Sequence, residues 1–217
     1  MLSATGIRKQ FGELPILKGV DIAVAKGEVV SIVGASGAGK STLLHILGTL
    51  DQPDSGSIRI NGQEVTQLKG NALARFRNEH IGFVFQFHHL LPEFSALENI
   101  CIPGWIGKKS KQAVEARALE LLKILDLSHR KDHKPAQLSG GEQQRIAVAR
   151  SLINNPAIVF ADEPTGNLDS QHAQELHQLF FDLRHQLGHT FLIVTHNEAL
   201  ADLSDRKLLM KDGQMVA

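Results

Sequence analysis

The chain has 217 residues, 42% of them hydrophobic, with 23 Lys plus Arg against 23 Asp plus Glu and so a formal charge of zero. That is apolar material for one sizeable core, alone or with a subdomain, and it excludes disorder as the main state. A neutral chain without a block of like charges also argues against direct nucleic-acid binding.

The lone cysteine, Cys101, has no partner for an internal disulfide or a thiolate zinc site, so a reducing cytosol is expected. The opening residues lack the basic start and apolar stretch of a secretory signal. No window approaches the roughly 18 apolar residues of a membrane span. Work at a membrane would therefore pass through a partner.

In chain order, strands are predicted near residues 2–8, 28–33, 57–60, 81–85, 158–161, 191–194 and 207–210, with Asp212-Gly213 as a closing hairpin turn. Strands alternating with helices predict an α/β fold with a mostly parallel sheet, and the early and late strands are expected to form an antiparallel β appendage. Between residues 86 and 150 helical patterns replace strands. Val114, Ala118, Leu121, Leu122 and Leu125 share one apolar helix face there. The expected division is an α/β core over 1–85 and 151–217 and a helical subdomain over 86–150. Residues 104–110, with Gly107-Lys108-Lys109, read as a solvated linker.

Three motifs carry chemistry. Gly34-Ala35-Ser36-Gly37-Ala38-Gly39-Lys40-Ser41, with Thr42 next, fits the phosphate-loop pattern G-x-x-x-x-G-K-[ST] between a strand and a helix. Its N–H groups and helix N-terminus would cradle phosphate oxygens, Lys40 would reach the β and γ phosphates, and the Ser41 hydroxyl would ligate Mg²⁺. The apolar strand ending in Asp162-Glu163 would deliver Asp162 to Mg²⁺ and Glu163 to the attacking water, although such a pair by itself also suits a helix cap. Ser139-Gly140-Gly141-Glu142 opens a helix with Ile146, Ala149 and Ile153 inward. It reads either as a capping box or as a second anion site at a helix N-terminus.

The order of these motifs resembles the nucleotide-binding subunit of ATP-binding-cassette transporters over essentially the whole chain. Gln86 at the strand-to-insert junction, Leu138 to Glu142, the Gly166-Asn167-Leu168-Asp169 loop and His196 after a strand complete the likeness. The resemblance implies an ATPase using ATP and Mg²⁺, and a homodimer that encloses two nucleotides. Ser139, Gly140 and Gly141 of one subunit would close on the nucleotide of the other. By the same resemblance, Gln86 would contact Mg²⁺ or the lytic water, His196 would bind the γ-phosphate and orient Glu163, and Asp169 would cross the dimer interface. Phe11 lies where the family stacks an aromatic on adenine, with a plain core or surface Phe as the other reading. Glu142 stands where Gln is usual.

The segment from Phe83 to Ile100, with Phe87-His88-His89-Leu90-Leu91-Pro92, looks close to the branch of the family that releases lipoproteins from the inner membrane. Macrolide-export or cell-division ATPases, and soluble cassettes without a transport role, are the alternatives. That branch implies a peripheral protein on the cytoplasmic face of the inner membrane, docked to two transmembrane subunits near Gln86 to Glu98. Those subunits would handle the lipoprotein cargo. Phe87, Leu90, Leu91 and Phe94 are then either a satellite core or, with His88, His89 and Glu98 at the rim, a groove for a helix of the membrane subunit. The eleven histidines show no zinc-protease spacing, and all except His196 are expected at the surface or on a partner.

Overall fold

The computed structural model describes residues 1–216, with only the backbone of Ser170 and Gln171. It opens on a long hairpin of β1 (Leu2–Phe11) and β2 (Leu14–Val24). Leu2, Ala4 and Ile7 are buried while Ser3, Thr5 and Arg8 face out, and the register shifts across Gly6, whose φ is +63°. β3 (Val29–Val33) leads through a glycine loop into α1 (Lys40–Leu47), followed by β4 (Ser55–Ile60), β5 (Gln63–Glu64), α2 (Gly70–His80) and β6 (Ile81–Phe85). Three helices follow, α3 (Ala96–Ile106), α4 (Lys111–Ile124) and α5 (Gly140–Leu152). The chain closes through β7 (Ile158–Asp162), α6 (Ser170–Leu187), β8 (Phe191–Val194), α7 (Glu198–Leu203), β9 (Arg206–Lys211) and β10 (Gln214–Val216).

The strands form two sheets, β2-β1-β4-β5 and β10-β9-β3-β8-β7-β6. The first is antiparallel; in the second every pairing is parallel except that of β9 with β10. Strands β3, β6, β7 and β8 of the larger sheet are buried on both faces, which explains their apolar runs, whereas β9 and β10 at its edge are largely exposed. Val30, Ile32, Phe160, Leu192 and Val194 pack with α1 residues Leu43, Leu44 and Leu47 and the antiparallel sheet. Val29, Val159, Ala161, Phe191 and Ile193 pack into a second core with α3, α4, α5 and α6.

The α/β class, the parallel core sheet and the antiparallel appendage agree with the sequence reading, but the appendage holds only the early strands. β9 lies parallel to β3, with Val30 opposite Arg206 and Val33 opposite Leu209, because α7 carries the chain back from β8 across β3. Asp212 and Gly213 do turn the final hairpin, with φ of +50° and +80°. The linker is shorter than expected. Gly104 lies buried inside α3, where a Cβ would fall 2.7 Å from Val114 Cγ1, so its small size sets the α3–α4 spacing.

Candidate functional site

At the carboxyl end of β3 the phosphate loop turns through Gly34, Gly37 and Gly39, with φ of +154°, +79° and +101°. Two of these glycines also serve packing. A Cβ at Gly34 would sit 2.1 Å from the Met210 carbonyl oxygen of β9, and one at Gly39 would sit 3.0 Å from Leu17 Cδ2 of β2. Lys40 is only 8% exposed, and its Nζ donates to the Gly34 and Ala35 carbonyls at 2.8 and 3.1 Å. A cleft of about 440 Å³ opens here, bounded by Ser36, Gly37 and Gly39 of the loop, Lys40, Ser41 and Thr42 of α1, Ile16 of β2, and Glu163 and His196. Ala38, within the loop, is buried.

β7 lies between β6 and β8 and ends at Asp162, opposite Phe85 and Val194. Asp162 Oδ1 accepts from the Ser41 hydroxyl at 2.9 Å, and His45 Nε2, one turn along α1, lies 3.6 Å from Oδ2. Burial pushes the Asp162 carboxyl above its ordinary range, and the Ser41 bond, His45 and Lys40 offset that only in part. The next residue reverses the chain, since Glu163 has φ +45° and its N–H donates to the Val194 carbonyl at 2.9 Å. Glu163 Oε2 then accepts from the His196 backbone N–H at 3.2 Å and lies 2.8 Å from His196 Nδ1. Adjacent carboxylates thereby meet different partners, Asp162 on α1 and Glu163 on the loop after β8.

The remaining motifs do not line this cleft. Gln86 donates from Nε2 to Asn167 Oδ1 and Asn167 Nδ2 donates to the Gln86 carbonyl, both at 3.1 Å, which ties Gln86 to the loop after Glu163. Asp169 caps α6 by accepting from the His172 N–H at 3.0 Å. Ser139 caps α5 in a formed capping box, with Glu142 N–H donating to Ser139 Oγ at 3.2 Å and Ser139 N–H donating to Glu142 Oε2 at 2.7 Å. A Cβ on Gly141 would come within 3.0 Å of the His172 ring, whereas Gly140 has Leu168 Cδ2 no nearer than 3.9 Å. Phe11 ends β1 and is 55% exposed, with Lys9 Nζ 5.2 Å from its ring centroid, so the buried-core reading does not hold. The cleft wall on that side is Ile16.

Several contributors were not singled out from the sequence. Gln144 is buried and donates to the carbonyls of Phe85 at 3.1 Å and Pro164 at 2.8 Å. Arg150 donates to the His88 and His89 carbonyls, both at 2.7 Å. α5 therefore runs as one rod from the Ser139 turn to the segment after Gln86. A polar residue on the inward side of an apolar helix was the available signal for Gln144, and the four-residue spacing from Ser41 was the signal for His45.

The Phe87 to Phe94 segment divides. Leu90 packs into the second core, whereas Phe87, Leu91 and Phe94 are exposed, so they are not a satellite core. Glu98 is occupied as the capping partner of Ser95. The nearby groove, of about 460 Å³, is lined by Arg77, Phe83, Phe85, His89, Pro103 and Ile106 among others. It shares only His89 with the segment proposed from sequence. His177 and His189 are buried, contrary to the surface expectation, and burial lowers both, His177 to about 4. Among the described residues no helix is long and apolar enough to cross a membrane.

The profile of the ABC transporter family matches residues 17–166. The chain is 62% identical over 216 residues, covering 100% of it and 99% of the relative, to the lipoprotein-releasing system ATP-binding protein LolD of Cytophaga hutchinsonii. It is 57% identical to the LolD of Bacteroides fragilis over 216 residues, covering 100% of both chains. Among solved structures it superposes on a dimeric post-hydrolysis state of the ATP-binding cassette MJ0796 bound to ADP and Pi, with a TM-score of 0.89 and 40% identity. That match spans 100% of this chain and 97% of the other.

Proposed function

The chain belongs to the ABC transporter family, and from that premise we infer that it is the ATP-hydrolysing subunit of a lipoprotein-releasing system, dimerising around ATP. The observation that carries this reading is full-length identity of 62% to a lipoprotein-releasing ATPase, with the phosphate loop and the Asp162-Glu163 strand end meeting in one cleft. The deciding experiment is ATP-dependent release of a lipoprotein from membrane vesicles holding the purified complex. No release despite ATP hydrolysis would reject the lipoprotein assignment.

In this reading the loop N–H groups and Lys40 hold the triphosphate. Ser41 and Asp162, with Gln86, would hold Mg²⁺. Their oxygen donors suit a hard cation, and burial raises the half-buried Asp162 carboxyl, a shift that a bound cation would oppose. Among the described residues no three His, Cys, Asp or Glu gather into a cation site, so phosphate oxygens and water would complete the shell. The ion would neutralise phosphate charge. Glu163, fixed through Oε2 by His196, keeps Oε1 to take a proton from the attacking water. The Ser139 turn does not line its own chain's cleft, which supports its use by the other subunit of the dimer, with Asp169 at that interface.

Phe11 would stack on adenine. Phe11→Ala is expected to weaken ATP binding about tenfold, within the roughly 1–3 kcal/mol of base stacking, while Phe11→Trp retains it. Titration with a fluorescent nucleotide checks this, and equal affinities would remove Phe11 from the site.

The helical subdomain over 86–150 would pass nucleotide state to two membrane subunits from the cytoplasmic face of the inner membrane. A short helix of each membrane subunit would enter the groove beside His89 and contact the exposed Leu91, two residues further along the chain. Leu91 is 43% exposed, so Leu91→Arg should change the stability of the lone chain by less than about 0.5 kcal/mol. It should still abolish co-purification with the membrane subunits. A lowered melting temperature with partner binding retained would reject this docking.

A further inference from the structure

A carboxylate is the wrong charge to keep beside a phosphate site, yet the fifth residue of the 138–142 turn is Glu142. Its two oxygens are both engaged. Oε2 accepts the Ser139 N–H at 2.7 Å and Oε1 accepts Arg130 Nε at 2.7 Å. Arg130 comes from a separate short turn, Ser128–Arg130, and its Nη1 lies 3.3 Å from the His133 ring. The His133 carbonyl accepts the Ala96 N–H at 2.8 Å, so the segment that carries Arg130 is tied to the start of α3, while the guanidinium reaches across to Glu142 of α5. Both side chains are mostly covered, at 34% and 20% exposure.

We propose that Arg130 is a positioning residue of the nucleotide sandwich, whose guanidinium neutralises Glu142 and so preserves the Ser139-Gly141 turn as an anion site. The proposal rests on the reading that this turn binds the partner subunit's ATP. Burial alone would raise the Glu142 carboxyl, but the Ser139 and Arg130 bonds hold it below its ordinary range, so the charge is present at neutral pH. Glutamine completes a capping box as well as glutamate does. A neutral residue at 142 would therefore keep the cap and remove the need for Arg130. If Arg130 only pinned the turn to the insert, exchanging Glu142 would not compensate for its loss.

The test uses the full-length chain carrying Glu163→Gln, with dimer formation at saturating ATP followed by sedimentation. Arg130→Gln should weaken the dimer about tenfold, with nucleotide affinity of the monomer unchanged. Glu142→Gln alone should leave association within about twofold, and the Arg130→Gln, Glu142→Gln pair should return it to that range. In chains retaining Glu163, kcat should fall and recover in parallel while KM holds. Unimpaired dimers of Arg130→Gln, or a double variant as weak as the single one, would overturn the proposal alone. Failure of the Arg130-containing parent to dimerise would overturn the reading beneath it, and the proposal too.

Discussion

Glu163→Gln is expected to bind ATP as tightly as the parent while losing about 10²–10⁴-fold in turnover. The amide has nearly the volume of the carboxylate and leaves Lys40, Ser41 and Asp162 untouched, so the phosphate and cation contacts survive. It removes the group that takes the proton from water. Glu163 has φ +45° and its N–H donates to the Val194 carbonyl, which fixes its backbone at the strand end. Asp162 faces Ser41 on the other side of the strand end. With hydrolysis blocked, ATP should trap the dimer, visible as a doubled mass in sedimentation. Residual hydrolysis near the parent's would reject Glu163 as the base, and a monomer at saturating ATP would reject the dimer that encloses the nucleotide.

Lys40→Ala should fail one step earlier, at nucleotide binding. A charge-assisted bond to phosphate contributes about 1.5–3 kcal/mol, which is about 10- to 150-fold in affinity. The backbone of the loop should survive the change. Its shape is set by the left-handed glycines and by the close approach of Gly34 to the Met210 carbonyl, neither of which involves the lysine side chain. The expected signature is thus weak ATP binding with an unaltered melting temperature in the absence of nucleotide. Unchanged affinity would contradict the assigned role, and a large drop in melting temperature would mean that the Lys40 bonds to Gly34 and Ala35 hold the loop together.

The sequence by itself determined whatever depends on near neighbours in the chain. Strands 81–85 and 191–194 were bounded correctly because unbroken apolar runs are what a sheet covered on both faces requires. The α4 face and the Ser139 capping box followed from spacings of three and four residues, and both are present. The phosphate loop and Asp162-Glu163 were legible because each is a contiguous motif at a strand end, and the fold brings them together through the Ser41–Asp162 bond. β2 was missed where Lys18 and Gly19 break its alternation, and α2 was missed because it buries only Phe76.

Only the tertiary structure decided how distant segments meet. No local period distinguishes a β9 parallel to β3 from one on an antiparallel edge, since that depends on the crossover through α7. The demand for glycine at 34 and 104 comes from Met210 and Val114, which approach from other elements. Gln86 sits on Asn167, Arg150 on His88 and His89, and Arg130 on Glu142, pairs separated by 81, 62, 61 and 12 residues. Such contacts exist because packing of the core confines their backbones, and nothing in the residues flanking each partner specifies the other.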